Sequence, residues 1–463
     1  MNAIILSAFF GIVMMFASFL IQNKKTFRHI ASVLMLGLLI ANIADSYGYT
    51  LFSFPTYGMV EFGRYGLLFN SLAIGCTLIY ILISGKEFEK SNYTAEFFVL
   101  IFFITCGISL LTSFNNLLML FLGIEILSIP LYILSGSDKR NMRSNEAALK
   151  YLLMGSFSTG IMLMGIALCY GGTGTFALEV AKPAASHFTK GVASFLEIFG
   201  LILLVSAMAF KVSAAPFHFW APDVYDGAPS VVTSYMATIV KAATFIAFLK
   251  LCAVRMISTG EFVNWKLIFS VLVVATLVIG NITAIFQQSV KRMLAYSSVA
   301  QAGFMLFALI SLNDVAEEGL LLYSVAYSLA TIGLFATLIK MKDYSLSGYN
   351  GLSKTQPVLA ATNAIFLFSL AGIPLTAGFF AKYYMLASVL KTGTYTWIVI
   401  VGVIFATVSV FYYFRVIQAM YFKEGTSETT EVSKSFNVGI IVIAALVVLL
   451  GIFPSWILSW LYF

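Results

Sequence analysis

The chain has 463 residues, 60% of them hydrophobic and only 10% charged, with a formal net charge of +7 and a mean hydropathy of +0.95. Soluble domains carry roughly 25% charged residues, so there are too few here to coat a globular surface. Recurrent apolar runs reach the length, about 20 residues, that crosses a bilayer as helix; a soluble fold is excluded in favour of an all-α polytopic membrane protein.

Fourteen spans are predicted, at about 2–21, 27–44, 66–84, 96–112, 115–135, 146–169, 193–217, 230–255, 267–287, 293–312, 318–340, 358–390, 396–421 and 437–461. The first run, "MNAIILSAFFGIVMMFASFLIQNKK", lacks a basic leader and has Lys24 and Lys25 after it, so it reads as a span and not a signal peptide. The longest connections, near 45–65, 171–192, 341–357 and 422–436, are rich in Gly, Ser and charge, and none is long enough for a soluble domain. The twelfth span is over-long and interrupted.

Cations separate the two sides. Odd-numbered loops hold Lys24, Lys25, Arg28, Lys86, Lys90, Lys139, Arg140, Arg143, Lys291, Arg292, Lys340, Lys342, Lys354, Lys423 and Lys434, whereas even-numbered loops hold only Arg64, Lys182, Lys190, Arg255, Lys266 and Lys391. The positive-inside rule then puts the odd loops in the cytoplasm and both termini outside. Trp220, Trp265, Trp397, Trp456 and Trp460 all fall near span ends, where interfacial anchors are expected. The net charge is largely this asymmetry, so no nucleic-acid partner is expected.

Cofactor signatures are missing. Cys76, Cys106, Cys169 and Cys252 lie in apolar runs without short-range pairing, and His29, His187 and His218 are scattered, so neither an iron–sulfur nor a metal motif is present. Neither GxGxxG nor GxxxxGK[ST] occurs. No cofactor or metal is expected on this chain.

Six cations remain at membrane depth, Lys150, Lys211, Lys241, Lys250, Lys382 and Arg415, with Glu125 the one clear acid, in "FLGIEILSIPLYIL". A mid-bilayer charge costs at least ~2.5–3.5 kcal/mol, so such residues face protein or water and carry function by default. Lys250 and Arg415 lie within two turns of span ends, where snorkelling explains them. Lys150, a turn into its span, stays open to either reading. Lys241 does not: at 1.5 Å per residue it is ~16 Å and ~21 Å from Ser230 and Arg255 at the two ends of its span. The bland reading of Glu125 is a static partner for a lysine.

Lys211 precedes Pro216 in "AFKVSAAPFHFWAPDVYDGAP", and Lys382 follows Gly372, Pro374 and Gly378 in "SLAGIPLTAGFFAK". Proline removes a backbone donor and clashes with the preceding turn. Broken helices persist in lipid only where the freed backbone meets protein or a hydrated cavity. Two such breaks, in spans running in opposite directions, are the sequence pointer to an inverted-repeat transporter. Lysine also suits proton transfer: a desolvated lysine can give up its proton, whereas arginine keeps its own. A carboxylate such as Glu125 would tune that exchange, and His218, seven residues past Lys211, would extend the relay or simply sit at the interface.

"FLGIEILSIPLYIL", "EAALKYLLMGSFSTG", "AFKVSAAPFHFWAPDVYDGAP", "IVKAATF" and "SLAGIPLTAGFFAKYYML" resemble the recurrent stretches of the antiporter-like membrane subunits of respiratory complex I. The resemblance runs from about Leu100 to Arg415. It implies N-terminal helices over 1–95, a first repeat over 96–256 (spans 4–8), an inverted second repeat over 257–421 (spans 9–13) and a last span over 422–463. It implies that Glu125 is the span-5 glutamate and Lys150 its span-6 partner, that Lys211 and Lys241 are the span-7 and span-8 relay lysines, and that Lys382 is the span-12 lysine nearer proton exit. Two members of the family differ in kind: subunit M carries glutamate where Lys382 stands, and subunit L continues into a lateral helix, whereas this chain stops at Phe463. The resemblance further implies that NADH, FMN, iron–sulfur clusters and quinone belong to other subunits, and that the partners are subunit M, the small subunit K, the lateral helix of subunit L and the bilayer. A multisubunit cation/proton antiporter shares the same lysine and glutamate pattern, and a non-translocating scaffold would use the charges only for packing; both stand as alternatives.

Overall fold

The computed structural model describes residues 1–21, 23–90, 93–179, 190–259 and 263–462; Lys182, His187 and Phe463 lie outside them. Chain order begins with α1 (Asn2–Leu20), α2 (Lys24–Ser46), α3 (Arg64–Phe88), α4 (Thr94–Ser113), α5 (Leu117–Ser135) and α6 (Met142–Thr173). Next come α7 (Lys190–Lys211), α8 (Trp220–Gly227), α9 (Ser230–Tyr235) and, after a π-helical turn at Met236–Val240, α10 (Lys241–Thr259). The second half holds α11 (Trp265–Phe286), α12 (Val290–Met305), α13 (Phe307–Ser311), α14 (Asp314–Lys340), α15 (Leu352–Thr355) and α16 (Pro357–Ala371). It ends with α17 (Ala377–Lys391), α18 (Thr396–Phe422), α19 (Lys434–Ile452) and α20 (Ser455–Leu458).

Among the described residues, twelve helices or helix pairs are long and apolar enough to cross a membrane. The broken pairs α7/α8 and α16/α17 bring the crossings to the expected fourteen. Short polar caps start several of them: the Asn116, Asn141 and Asn313 side chains accept from backbone N–H groups two or three residues ahead, at 2.8, 3.0 and 3.0 Å. Close helix approach relies on small residues, as lipid-embedded packing requires. A methyl group on Gly165 of α6 would come 2.8 Å from the Gly200 carbonyl of α7, and one on Gly200 would come 2.7 Å from the Gly165 carbonyl.

Burial locates the core. The windows of Val290–Ser311 and Asp314–Lys340 are 94% buried, against 22% for α1 and 33% for α2, α18 and α19. The first half packs α4 on α5, α5 on α6 and α6 on α7; the second packs α11 on α12, α14 on α16 and α17, and α16 on α18. They meet where α8 touches α12 and where α9 and the π turn touch α14. α1, α2 and α3 pack on α4, and α3 reaches α14 and α19.

Three residues assigned to the membrane surfaces sit elsewhere. Trp220 is 2% exposed; its indole stacks on Tyr151 at 4.8 Å and its Nε1 donates to the Phe210 carbonyl at 2.9 Å, so it plugs the first break. Arg255 is a buried residue of α10 paired with Glu197 at 3.4 Å, not a loop cation. Lys291 is buried in α12 and donates to the carbonyls of Asp226 and Ala228 at 2.7 and 2.6 Å.

Candidate functional site

The first break opens at Lys211, the last residue of α7. Its freed backbone is satisfied locally, Val212 donating to Met208 at 3.1 Å and Ala214 to Ala209 at 2.8 Å, while Ala215 N–H crosses to Thr276 Oγ1 of α11 at 2.9 Å. Ser213 takes a positive φ of 61° to make the turn. Half-buried Lys211 donates from Nζ to Ser128 Oγ at 3.1 Å and to Tyr132 Oη at 3.2 Å. Glu125, Ser128 and Tyr132 occupy positions i, i+3 and i+7 of α5 and so share one face. The acid therefore lies a turn from the Ser128 hydroxyl that holds Lys211. Glu125 itself accepts from Thr159 Oγ1 of α6 at 2.8 Å.

Lys241 follows the π turn and is 1% exposed. Single π turns inside helices recur at functional sites, and nothing in "SYMATIVKAATF" announced this one. Its Nζ donates to the carbonyl of Ser298 at 3.1 Å and to the Ser298 hydroxyl, and lies 5.7 Å from the Tyr225 ring centroid.

Lys382 stands on the far side of the second break. α16 ends at Ala371; Gly372, with φ 84°, turns the chain, and α17 restarts at Ala377. Lys382 folds back, is 6% exposed, and donates to the Ala371 carbonyl at 3.0 Å and the Ser409 hydroxyl at 3.5 Å. The adjacent Leu370 carbonyl accepts from Gln301 Nε2 at 3.1 Å. An ammonium and an amide thus serve carbonyls that the break leaves without helical donors, at a helix end whose dipole favours positive charge.

Gln301 belongs to a buried polar group that lies between Lys241 and Lys382. Its Nε2 also donates to Tyr413 Oη at 3.0 Å, Tyr323 Oη donates to its Oε1, and Tyr413 shares a hydrogen bond with Ser297 Oγ. Ser297, Ser298 and Gln301 are clustered on α12, so one helix contacts both lysine sites. These residues were not anticipated. The signal was present as "SSVAQ" inside a span and as Tyr323 and Tyr327 four apart, but neutral polar groups stand out less than charges.

The other expected residues are placed differently. Lys150 does not touch Glu125: it pairs with Glu146 at 2.7 Å and with Asp223 of α8 at 3.0 Å, and its side chain is 40% exposed. Thr159, which binds Glu125, lies nine residues further along α6, about 14 Å at 1.5 Å per residue. Asp223 also binds Arg292 at 3.0 Å, and these charges with Arg143 and Asp226 line a cavity of about 290 Å³. His218 is buried in the break with its ring against Phe219 at 4.6 Å; its Nδ1 has no hydrogen-bond partner among the described residues, and no lysine bonds to it. Arg415 donates to the Ile285 carbonyl, and Lys250 lies 5.3 Å from the Phe114 ring centroid. Among the described residues no His, Cys, Asp and Glu group is arranged to hold a metal.

The sequence model for the transmembrane region of NADH:quinone oxidoreductase and Mrp antiporters matches residues 114–409, which include Glu125, Lys150, Lys211, His218, Lys241 and Lys382. NADH-quinone oxidoreductase subunit N of Cytophaga hutchinsonii is 41% identical over 99% of both chains. That of Flavobacterium johnsoniae is 39% identical over 87% of this chain and 88% of its own. The chain belongs to the subunit N family of NADH-quinone oxidoreductase. A chain of respiratory complex I from Thermus thermophilus, solved with bound aureothin, superposes with a TM-score of 0.83 at 29% identity, covering 99% of this chain and 98% of that one. A chain of the Mrp complex from Dietzia sp. DQ12-45-1b reaches 0.84 at 17% identity over 99% and 96%, and shares the fold. Subunit N family membership resolves the choice between oxidoreductase and antiporter that the lysine pattern left open.

Proposed function

We propose that this chain translocates protons within NADH-quinone oxidoreductase through Lys211, Lys241 and Lys382, with Glu125 tuning the first of them. The observation that carries this reading is the bonding of two buried lysines, Lys241 and Lys382. Lys241 and Lys382 have only hydroxyls and backbone carbonyls as hydrogen-bond partners, and neither forms an ion pair among the described residues. A scaffold would pair its buried charges, because an uncompensated one is costly. Sites that solvate an ammonium with neutral dipoles hold the amine in either protonation state, which a relay requires. The second break supplies one of these dipoles, the Ala371 carbonyl, and α12 supplies Ser298; the Ser297–Tyr413–Gln301 group lies on the same helix as Ser298 and bonds the Leu370 carbonyl next to Ala371.

Lys150, with Asp223 and Arg292 around their cavity, has access to water and would serve proton uptake. His218 is held as an additional group in the break. The unit boundaries 1–95, 96–256, 257–421 and 422–463 divide the chain into N-terminal helices, two inverted repeats and a last span, each repeat holding one break. The chain sits in the bacterial inner membrane, odd loops in the cytoplasm and both termini periplasmic; reporter fusions at 136–145 and at the C-terminus test this, and a cytoplasmic C-terminus overturns it. Neighbours are subunits M and K and the lateral helix of subunit L, with NADH, FMN, iron–sulfur clusters and quinone bound by other subunits.

The test of the relay is replacement of Lys241 or Lys382 by Ala in the whole complex. Removing an unpaired buried charge spares the fold, so assembly and subunit content are expected to persist while protons moved per NADH fall. Normal stoichiometry in either variant would contradict the reading.

A further inference from the structure

A second cavity, of about 190 Å³, lies away from the lysines, where α4 begins and α5 ends. Its mouth carries Tyr93, Glu96 and Lys139, and its inner wall is Phe97, Leu100, Ile133 and Leu134. Lys139 rests on the Tyr93 ring at 4.4 Å from the centroid and donates to Tyr93 Oη at 3.3 Å, so its ammonium stays at the rim. Glu96 is exposed and forms no ion pair among the described residues. The wall continues into the bilayer zone: Ile133 is 57% exposed, and Ile129, one turn deeper on α5, is 51% exposed.

We infer that this cavity binds one zwitterionic phospholipid whose headgroup ends in a primary ammonium, of the phosphatidylethanolamine type. The position at the end of two spans is where a headgroup lies, and a tyrosine there matches the aromatic belt of membrane interfaces. The phosphate accepts from Lys139 Nζ, the ammonium donates to the Glu96 carboxylate, and an acyl chain follows the track from Ile133 to Ile129. A single cation and a single carboxylate at the rim fit a zwitterion. An anionic headgroup such as phosphatidylglycerol would offer Glu96 only neutral hydroxyls and no opposite charge, and a choline headgroup has no N–H to donate. The lower wall is aliphatic and aromatic, which favours acyl chain over water.

The experiment uses the intact complex in vesicles of phosphatidylethanolamine and phosphatidylglycerol, each lipid in turn carrying a photoactivatable acyl chain, with labelled peptides mapped. The ethanolamine lipid is expected to label the peptides around 93–100 and 129–139, and Glu96→Gln with Lys139→Ala to lower that labelling about tenfold, the scale of a lost charge-assisted hydrogen bond. Both changes are at the surface, so NADH oxidation is expected to stay at the wild-type level and report assembly. Equal labelling by both lipids, unchanged labelling in the double variant, or cross-linking from Ile133→Cys to a neighbouring subunit in place of lipid would each overturn the inference.

Discussion

The two helix breaks solve one problem in opposite ways. In the first, the lysine closes the first half-helix and reaches sideways to two hydroxyls on α5, next to an acid. In the second, the lysine belongs to the following half-helix and reaches backwards to the carbonyl end of α16, with no acid in contact. Side-chain hydroxyls can rotate and exchange between donor and acceptor, whereas a helix-end carbonyl is fixed and accepts only. Lys211 therefore sits among rotatable hydroxyls near Glu125, whereas the shorter of the two bonds from Lys382 goes to a fixed carbonyl and the longer to the Ser409 hydroxyl. In the proposed relay the first break would tune its lysine and the second would hold its own.

Glycines separate the two designs most sharply. Gly372→Ala is expected to have the largest effect, because φ 84° disfavours any side chain and the new methyl group would lie 2.9 Å from Lys382 Cδ. The left-handed conformation alone costs roughly 1–2 kcal/mol, and displacing Lys382 should lower proton pumping about tenfold or more, the range over which positioned proton-transfer groups act. Thermal unfolding and vesicle acidification measure the two parts; pumping at the wild-type level would mean that Lys382 does not need its carbonyl.

Gly155→Ala probes the first break. A methyl group there would come 2.2 Å from Tyr132 Oη, the far end of a side chain, so Tyr132 must swing off Lys211. Tyr132→Phe removes the same bond without the clash. Both should reduce pumping by less than Gly372→Ala, the Phe variant by about threefold to tenfold if the lost bond to a charged group is partly replaced by Ser128. An effect of Tyr132→Phe larger than that of Gly372→Ala would reverse the comparison.

The smallest effect is expected at Lys150. Its pairs with Glu146 and Asp223 are half in solvent, and exposed pairs contribute about 0–1 kcal/mol. Lys150→Met should leave stability nearly unchanged and lower pumping only modestly, measured as initial acidification rate against NADH oxidation. A loss equal to that at Lys211 would place Lys150 in the relay itself.

The fold was legible because the bilayer demands it: fourteen runs, with interruptions at Pro216 and at Gly372 to Gly378, correspond to the helices and breaks observed. Glu125, Lys211, Lys241 and Lys382 were legible for a related reason, since charge in an apolar run has few structural excuses. What was hidden is what three dimensions add. Asp223 lies beyond the first break in sequence, and only packing of α8 between α6 and α12 brings it to Lys150 and Arg292. Gln301, Tyr323 and Tyr413 come from three helices and have ordinary compositions for membrane spans. Trp220 looked interfacial because it follows an apolar run, yet it fills the space that the break creates.

Proton uptake into liposomes during quinone reduction, measured with Lys211→Arg in the purified complex, tests the central claim most directly. Arginine keeps the positive charge and can still donate to Ser128 and Tyr132, but it does not deprotonate. The account predicts full assembly, retained NADH oxidation and strongly impaired proton uptake, with Lys211→Ala no worse. Restoration of wild-type proton uptake by arginine would show that Lys211 is a fixed charge, and would contradict the relay.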